Sequence, residues 1–283
     1  MRRLLLLVLV FALRTAHADT IYYSSPPALE DGRSDFGLTL LQLALARAGS
    51  THRAELSPVF RQQNRAIAEL VGNTGTIQVL GTMTSIEREE QLLPVRIPIS
   101  KGLIGWRILL VNDHQRDALR DVRDLAGLRH VHMAVGEHWP DLDIMRSNGL
   151  APDPVASYGR LFSMLKAHRI DAVPRSVMEI WSELKEFPEL AAEPYLLLRY
   201  PAADYFFVSR ANPELAEEIR RGLEIAQADG SFDRLLLAYY GKLLAGANLA
   251  QRRVIELSNP TLPPLTPIAR KELWLTLDDL LKR

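Results

Sequence analysis

Cysteine is missing from all 283 residues. Its absence excludes disulfides, thiol catalysis and thiolate metal sites, and also a lipid anchor, which needs a cysteine directly after a cleavage point. Long apolar runs are missing too: residues 4–13 are almost unbroken hydrophobic, about half of what a membrane-spanning helix needs. Neither sign of charge is in excess, with 34 basic and 34 acidic residues. Lysine is scarce beside arginine, so no polybasic tail for RNA or membrane is present, and there is no electrostatic footprint for nucleic acid. No GxSxG, P-loop, HExxH or dinucleotide fingerprint occurs. The expectation is therefore a protein that is not an enzyme and uses no cofactor and no metal.

What the chain does carry begins at its first residues. Arg2 and Arg3 precede the apolar run, and Ala16-His17-Ala18 offers the small residues a signal peptidase reads. Residues 1–18 are expected to be an export signal cleaved before Asp19, leaving a soluble periplasmic protein; a short retained anchor is the alternative. The mature part, about 265 residues, is enough for two medium lobes or one large one. It is slightly acidic, because the signal removes three arginines and no acid.

Period and punctuation then predict an α/β chain. Residues 20–23 read as a strand, Ser34 as the cap of a helix closed by Gly49, and residues 55–57 as a second strand. Pro58 after Ser57 suggests a second helix running to Gly72-Asn73, followed by a strand at 76–80. This β-α-β-α-β opening argues for a largely parallel sheet. Strands are predicted at 95–99 and 106–111, the second buried on both faces. A β-α-α-β-α unit follows, with strands at 130–135 and 170–173. Beyond a strand at 204–209 come two long helices, opened by Pro213 and Ser231. The last thirty or so residues are proline-rich and then apolar, with Leu273, Trp274, Leu277 and Leu281. They are expected to strap across the first lobe.

The segments "HRIDAVPRS" and "YFFVSRANPELAEEIRRGLEIAQADGSFDRLLLAYY", with a Leu-Ala-Gly step into a strand ending at Gly136, resemble a family 3 extracellular solute-binding protein of the type 2 periplasmic binding fold. The resemblance covers roughly 20–241 of the sequence and implies two lobes, each a mixed, mostly parallel sheet with flanking helices, joined by a two-segment hinge. Lobe one would comprise 19–107 plus 204–283, with the strap from about 250, and lobe two 108–203. The hinge segments would lie near 106–111 and 198–206. The implied function is capture of a small polar solute between the lobes by a monomer, with an inner-membrane transporter or a sensor as partner.

In the amino-acid binders of that family an arginine before the hinge holds the α-carboxylate and an aspartate after the "DAV" strand holds the α-ammonium. Here Arg96 lies near the first region in a different local pattern, and after "IDAV" come Pro174-Arg175-Ser176, with no acid until Glu179, so that a cation stands in the acid's region. That departure puts an α-amino acid in doubt and favours an anionic solute. Arg175 follows a strand whose carboxyl end faces the cleft in this architecture, where a guanidinium can grip an anion with two parallel bonds; pairing with Glu179 is the structural alternative. Arg96 is a second candidate clamp. Tyr23, Asp31 and Arg33 belong to the first strand-to-helix loop. Trp139 offers a broad face beside the Gly136 turn. Thr82 and Thr84 could donate hydroxyls, and Tyr158 opens a helix towards the cleft.

The sequence leaves three other readings open. His130 and His132, with Glu137 and His138, could hold zinc. Glu87, Glu89 and Glu90 with Asp113 could form a hydrolase pair on a binding-protein scaffold. An envelope structural or sensory protein could dock a partner through Trp274.

Overall fold

A computed structural model describes residues 19–24 and 33–281, the side chains of 33–35 and 280–281 excepted. The expected export signal and Asp31 therefore lie outside the described residues, as does the side chain of Arg33. Among the described residues no helix is long and apolar enough to cross a membrane.

The chain folds as two lobes. The first opens with β1 (Thr20–Tyr23), α1 (Arg33–Arg47) and β2 (Arg53–Leu56), and β1 and β2 pair in parallel with Tyr23 opposite Leu56. The second helix, α2 (Gln63–Val71), starts later than Ser57-Pro58 suggested; Ser57 instead receives a bond from Arg61. Next come β3 (Leu80–Met83), α3 (Ile86–Gln91) and β4 (Leu93–Val95). The strand predicted at 95–99 thus overlaps β4 only at Val95, after which the chain turns, with the Ile97 amide donating to the Val95 carbonyl.

At β5 (Trp106–Asn112) the chain leaves for the second lobe, and all seven residues of this strand are buried, as its apolar run requires. There follow α4 (Leu125–Leu128), β6 (Ala134–Gly136), α5 (Pro140–Ser147), β7 (Asp153–Val155), α6 (Tyr158–Lys166), β8 (Val173–Ser176), α7 (Ile180–Glu186), β9 (Leu190–Ala192) and β10 (Leu196–Arg199). β5 is the spine of this lobe, pairing antiparallel with β8, β9 and β10. β6 and β7 run parallel beside it, tied in by a bridge between Met133 and Ala172. The strand expected at 130–135 is reduced to its last residues.

β11 (Asp204–Val208) returns to the first lobe and inserts antiparallel between β3 and β4, with Asp204 opposite Met83. Two helices of 16 residues close the lobe: α8 (Pro213–Ala228) and α9 (Ser231–Gly246). α8 packs on α1 at Gly222, where an added Cβ would lie 1.8 Å from the carbonyl oxygen of Ala44. Only a residue without a side chain permits that approach.

The tail departs from expectation. It was predicted to lie on the first lobe, yet β12 (Arg253–Glu256) adds in parallel to the β10 edge of the second-lobe sheet. Ser258 then bonds Asn148, also in the second lobe, and Arg270 pairs with Glu224 of α8 at 2.6 Å. Trp274 lies over the Gly102 turn, its indole N–H donates to the carbonyl of Pro267, and α10 (Leu277–Leu281) ends the described chain. The strap spans both lobes because β10 leaves an unpaired edge that a passing strand can satisfy.

Candidate functional site

The strands of both lobes end at a shared cavity of about 500 Å³, within the range of small-molecule sites. Its first-lobe wall comes from the ends of β1 and β3 and the starts of α2 and β11; its second-lobe wall comes from the turns after β6, β7 and β8.

The second-lobe wall is a buried ionic network. Arg175, 2% exposed, donates Nε to both oxygens of Glu183 at 2.7 and 2.9 Å, and its terminal nitrogen lies 3.0 Å from Glu179. The guanidinium lies 4.7 Å from the Trp139 ring centre and 5.6 Å from that of Tyr158, whose hydroxyl donates to Glu183 at 2.6 Å. Trp139 takes this position because Gly136 has no Cβ; one added there would sit 2.5 Å from the indole. Next to it, Arg107 donates to Tyr200 at 2.8 Å and pairs with Asp141 at 2.8 Å and Glu179 at 3.4 Å. Burial opposes the charge of both arginines, but the surrounding carboxylates outweigh it and hold both well above the usual range. These two cations are already compensated.

Arg88 on the opposite wall is not. Ser85 caps α3 and directs this residue into the cavity floor. Its guanidinium donates to the Thr82 hydroxyl at 3.0 Å, the Met83 carbonyl at 2.5 Å and the Gln63 side-chain oxygen at 2.8 Å. A fourth bond, 3.3 Å, crosses to the His138 carbonyl of the second lobe. All four acceptors are neutral, and among the described residues no carboxylate pairs with it. Burial pushes Arg88 down to about 10, a cost that Glu87 and Asp141 offset only in part from a distance. A buried guanidinium without a paired carboxylate has the chemistry to take an anion.

A second charge lies near it. Asp204, opposite Met83 across the β3–β11 pair, lines the cavity and accepts from the Ser100 backbone and hydroxyl. Burial lifts it to about 6, against the pull of those Ser100 bonds. A raised carboxyl pKa means that its contribution to stability is complete below the ordinary aspartate range and is lost as the pH rises through about 6. We therefore expect Asp204→Asn to gain on the wild type as pH rises, by up to roughly 3 kcal/mol above about pH 7. Melting curves of both proteins from about pH 4 to 8 check this; a constant gap across that range would refute it.

Of the residues singled out in the sequence, Tyr23, Thr82, Trp139, Tyr158 and Arg175 line the cavity. Arg96 and Thr84 do not. Both are committed to Glu89: Arg96 at 2.6 Å and the Thr84 hydroxyl at 2.8 Å. Arg175 is the notable correction, since its charge is consumed inside the lobe by Glu183 and by the Glu179 pairing that was its alternative. Several residues of the zinc and hydrolase readings are held in pairs: His132 with Asp153 at 2.9 Å, His138 with Glu137 at 3.0 Å and Asp113 with Arg116 at 3.3 Å. Among the described residues no three potential metal ligands cluster. Arg88, Asp204 and Gln63 were missed, although Ser85 three residues before Arg88 is a helix-start signal at a strand end, where ligands gather.

No protein-family model matches the sequence, and a comparison with curated proteins found no match. Solved structures are similar in fold. An ancestral arginine-binding protein bound to arginine superposes with a TM-score of 0.58 at 18% identity, over 79% of this chain and 98% of that one. A periplasmic binding protein of Salmonella typhimurium with high arginine specificity gives 0.56 at 16% identity, over 79% and 100%. The BvgS VFT2 domain of Bordetella pertussis gives 0.60 at 15% identity, over 78% and 93%. At these identities the likeness establishes the architecture, and the chain has the two-lobed fold of the periplasmic binding proteins.

Proposed function

We propose that this chain is a solute-binding protein that closes its lobes around a small molecule carrying a carboxylate, which Arg88 grips. The observation that carries the reading is the buried guanidinium of Arg88, facing the interlobe cavity with only neutral acceptors. A bound carboxylate would supply the missing countercharge through two parallel bonds. Thr82 and Gln63 would orient it, and Tyr23, Trp139 and Tyr158 would cover its apolar part.

The requirement is for an anionic group, not for a net negative solute. The arginine of the similar solved structures is itself a cation with a carboxylate. The lobes would hinge where β5 leaves and where 198–206 returns, as expected from the sequence. Export by residues 1–18 and delivery to a membrane transporter or sensor belong to the same proposal.

A thermal-shift screen of matched sets tests it: small carboxylates, amino acids, amines and neutral sugars. Carboxylate-bearing compounds should raise the melting temperature, and at 100 times Kd the stabilisation is about 2.7 kcal/mol. A screen in which only sugars or amines stabilise would overturn the assignment. Small-angle scattering of the protein with its best ligand should then show compaction.

A further inference from the structure

The second-lobe wall has the composition of a cation site, and the chain fills that site itself. Two carboxylates, Glu183 and Glu179, and two aromatic faces, Trp139 and Tyr158, converge on one guanidinium. Carboxylates matched in plane by two N–H donors, with rings above, are the set that recognises a free guanidinium. Glu183 is fully buried and Tyr158 donates to it, so the acceptor is held in position before any cation arrives. The occupant is Arg175, reaching from β8 in the same cavity wall.

We infer that Arg175 is a built-in plug in a guanidinium subsite and determines specificity by excluding cationic solutes from the cleft. The inference rests on the reading of the cleft as a solute site and names what that site refuses. With Arg88 holding the carboxylate of a solute, its far end meets the wall that Arg175 occupies. A solute ending in a guanidinium or ammonium finds that subsite already full, with Glu183 and Glu179 committed to Arg175. A neutral-ended solute of the same shape needs no such subsite.

Removing the plug should convert the wall into a cation site. In Arg175→Ala, about 10 mM methylguanidinium is expected to raise the melting temperature by about 3–6 °C, for a site of about millimolar affinity. Equal sodium or tetramethylammonium chloride should not, and the wild type should not respond. Should Arg175→Ala be unfolded in buffer, its refolding on addition of methylguanidinium is the same result. The double variant Arg175→Ala/Glu183→Gln lacks the bidentate acceptor and should lose the rescue. The wild type should also bind citrulline in preference to its cationic counterpart arginine, and Arg175→Ala should reverse the order.

Absence of rescue in Arg175→Ala, or rescue undiminished in the double variant, would overturn the plug. Rescue by methylguanidinium requires no carboxylate solute, so it reads the subsite even if the screen finds none. A carboxylate bound through Arg88 without any rescue would leave the proposed function standing and remove this inference alone.

Discussion

Arg88→Met should abolish high-affinity solute binding while leaving the empty protein nearly as stable as the wild type. The guanidinium is buried without a countercharge, so its removal relieves a desolvation cost as well as breaking four bonds to neutral oxygens. Methionine fills similar space with an adaptable apolar chain. The bonds lost are worth about 1 kcal/mol each, and the desolvation relieved is of similar order, so the melting temperature should move little. Binding is a different matter, because a carboxylate carried into the cleft would be buried unpaired. The expected cost is about 2–5 kcal/mol, or roughly 30-fold to several-thousand-fold in affinity. Arg88→Lys should recover only part, since an ammonium cannot reproduce the planar fork. Calorimetry with the best carboxylate from the screen, alongside melts in buffer alone, measures both effects. Binding retained within about three-fold would place the anchor elsewhere.

Glu183→Ala should have the opposite profile, with a large loss of stability. Glu183 is fully buried and accepts three close approaches from Arg175, at 2.6, 2.7 and 2.9 Å, together with the Tyr158 hydroxyl. Removing it strands a buried guanidinium with only Glu179 at 3.0 Å to compensate it. Breaking one side of such a pair costs about 3–5 kcal/mol. At about 2–4 °C per kcal/mol for a chain of this size, the melting temperature should fall by roughly 6–20 °C. Glu183→Gln, which keeps the shape and one acceptor, should lose less. Thermal and urea unfolding of the three proteins tests this; a loss under about 1 kcal/mol in Glu183→Ala would mean the pair is solvated in solution.

The contrast between the two positions explains why the candidate site was harder to read than the fold. In "TSIEREEQLLPVRIP", the alternation of Arg96 with Val95 and Ile97 turns its side chain off the core face and marks it as the candidate clamp, while Arg88 carries no such mark. The structure reverses them, because the chain between them folds α3 back onto β4 and carries Glu89 to Arg96. Arg175 was read beside Glu179, four residues on, and that contact exists. Its principal partner is Glu183, eight residues on, presented by α7 only after the turn at 176–179. The Asp204 pairing with Ser100 spans 104 residues and has no local signature.

The sequence by itself determined the β-α-β-α-β opening, the all-buried character of β5, the two closing helices and the two-lobed class, while the short elements α3, β7, β9 and β12 carry no pattern of their own. These follow from near-neighbour physics: hydrophobic period, caps, prolines and glycines act within a few residues. It also placed Tyr23, Thr82, Trp139, Tyr158 and Arg175 at one cavity, since strand ends point there in any such fold. Only the tertiary structure decided which arginine keeps its charge available, that the tail joins the second lobe through β12, and that Asp204 is lifted to about 6. Charge compensation depends on distances of about 3 Å and on the water excluded around them. Those are set by contacts between residues far apart in the chain, which no local pattern encodes.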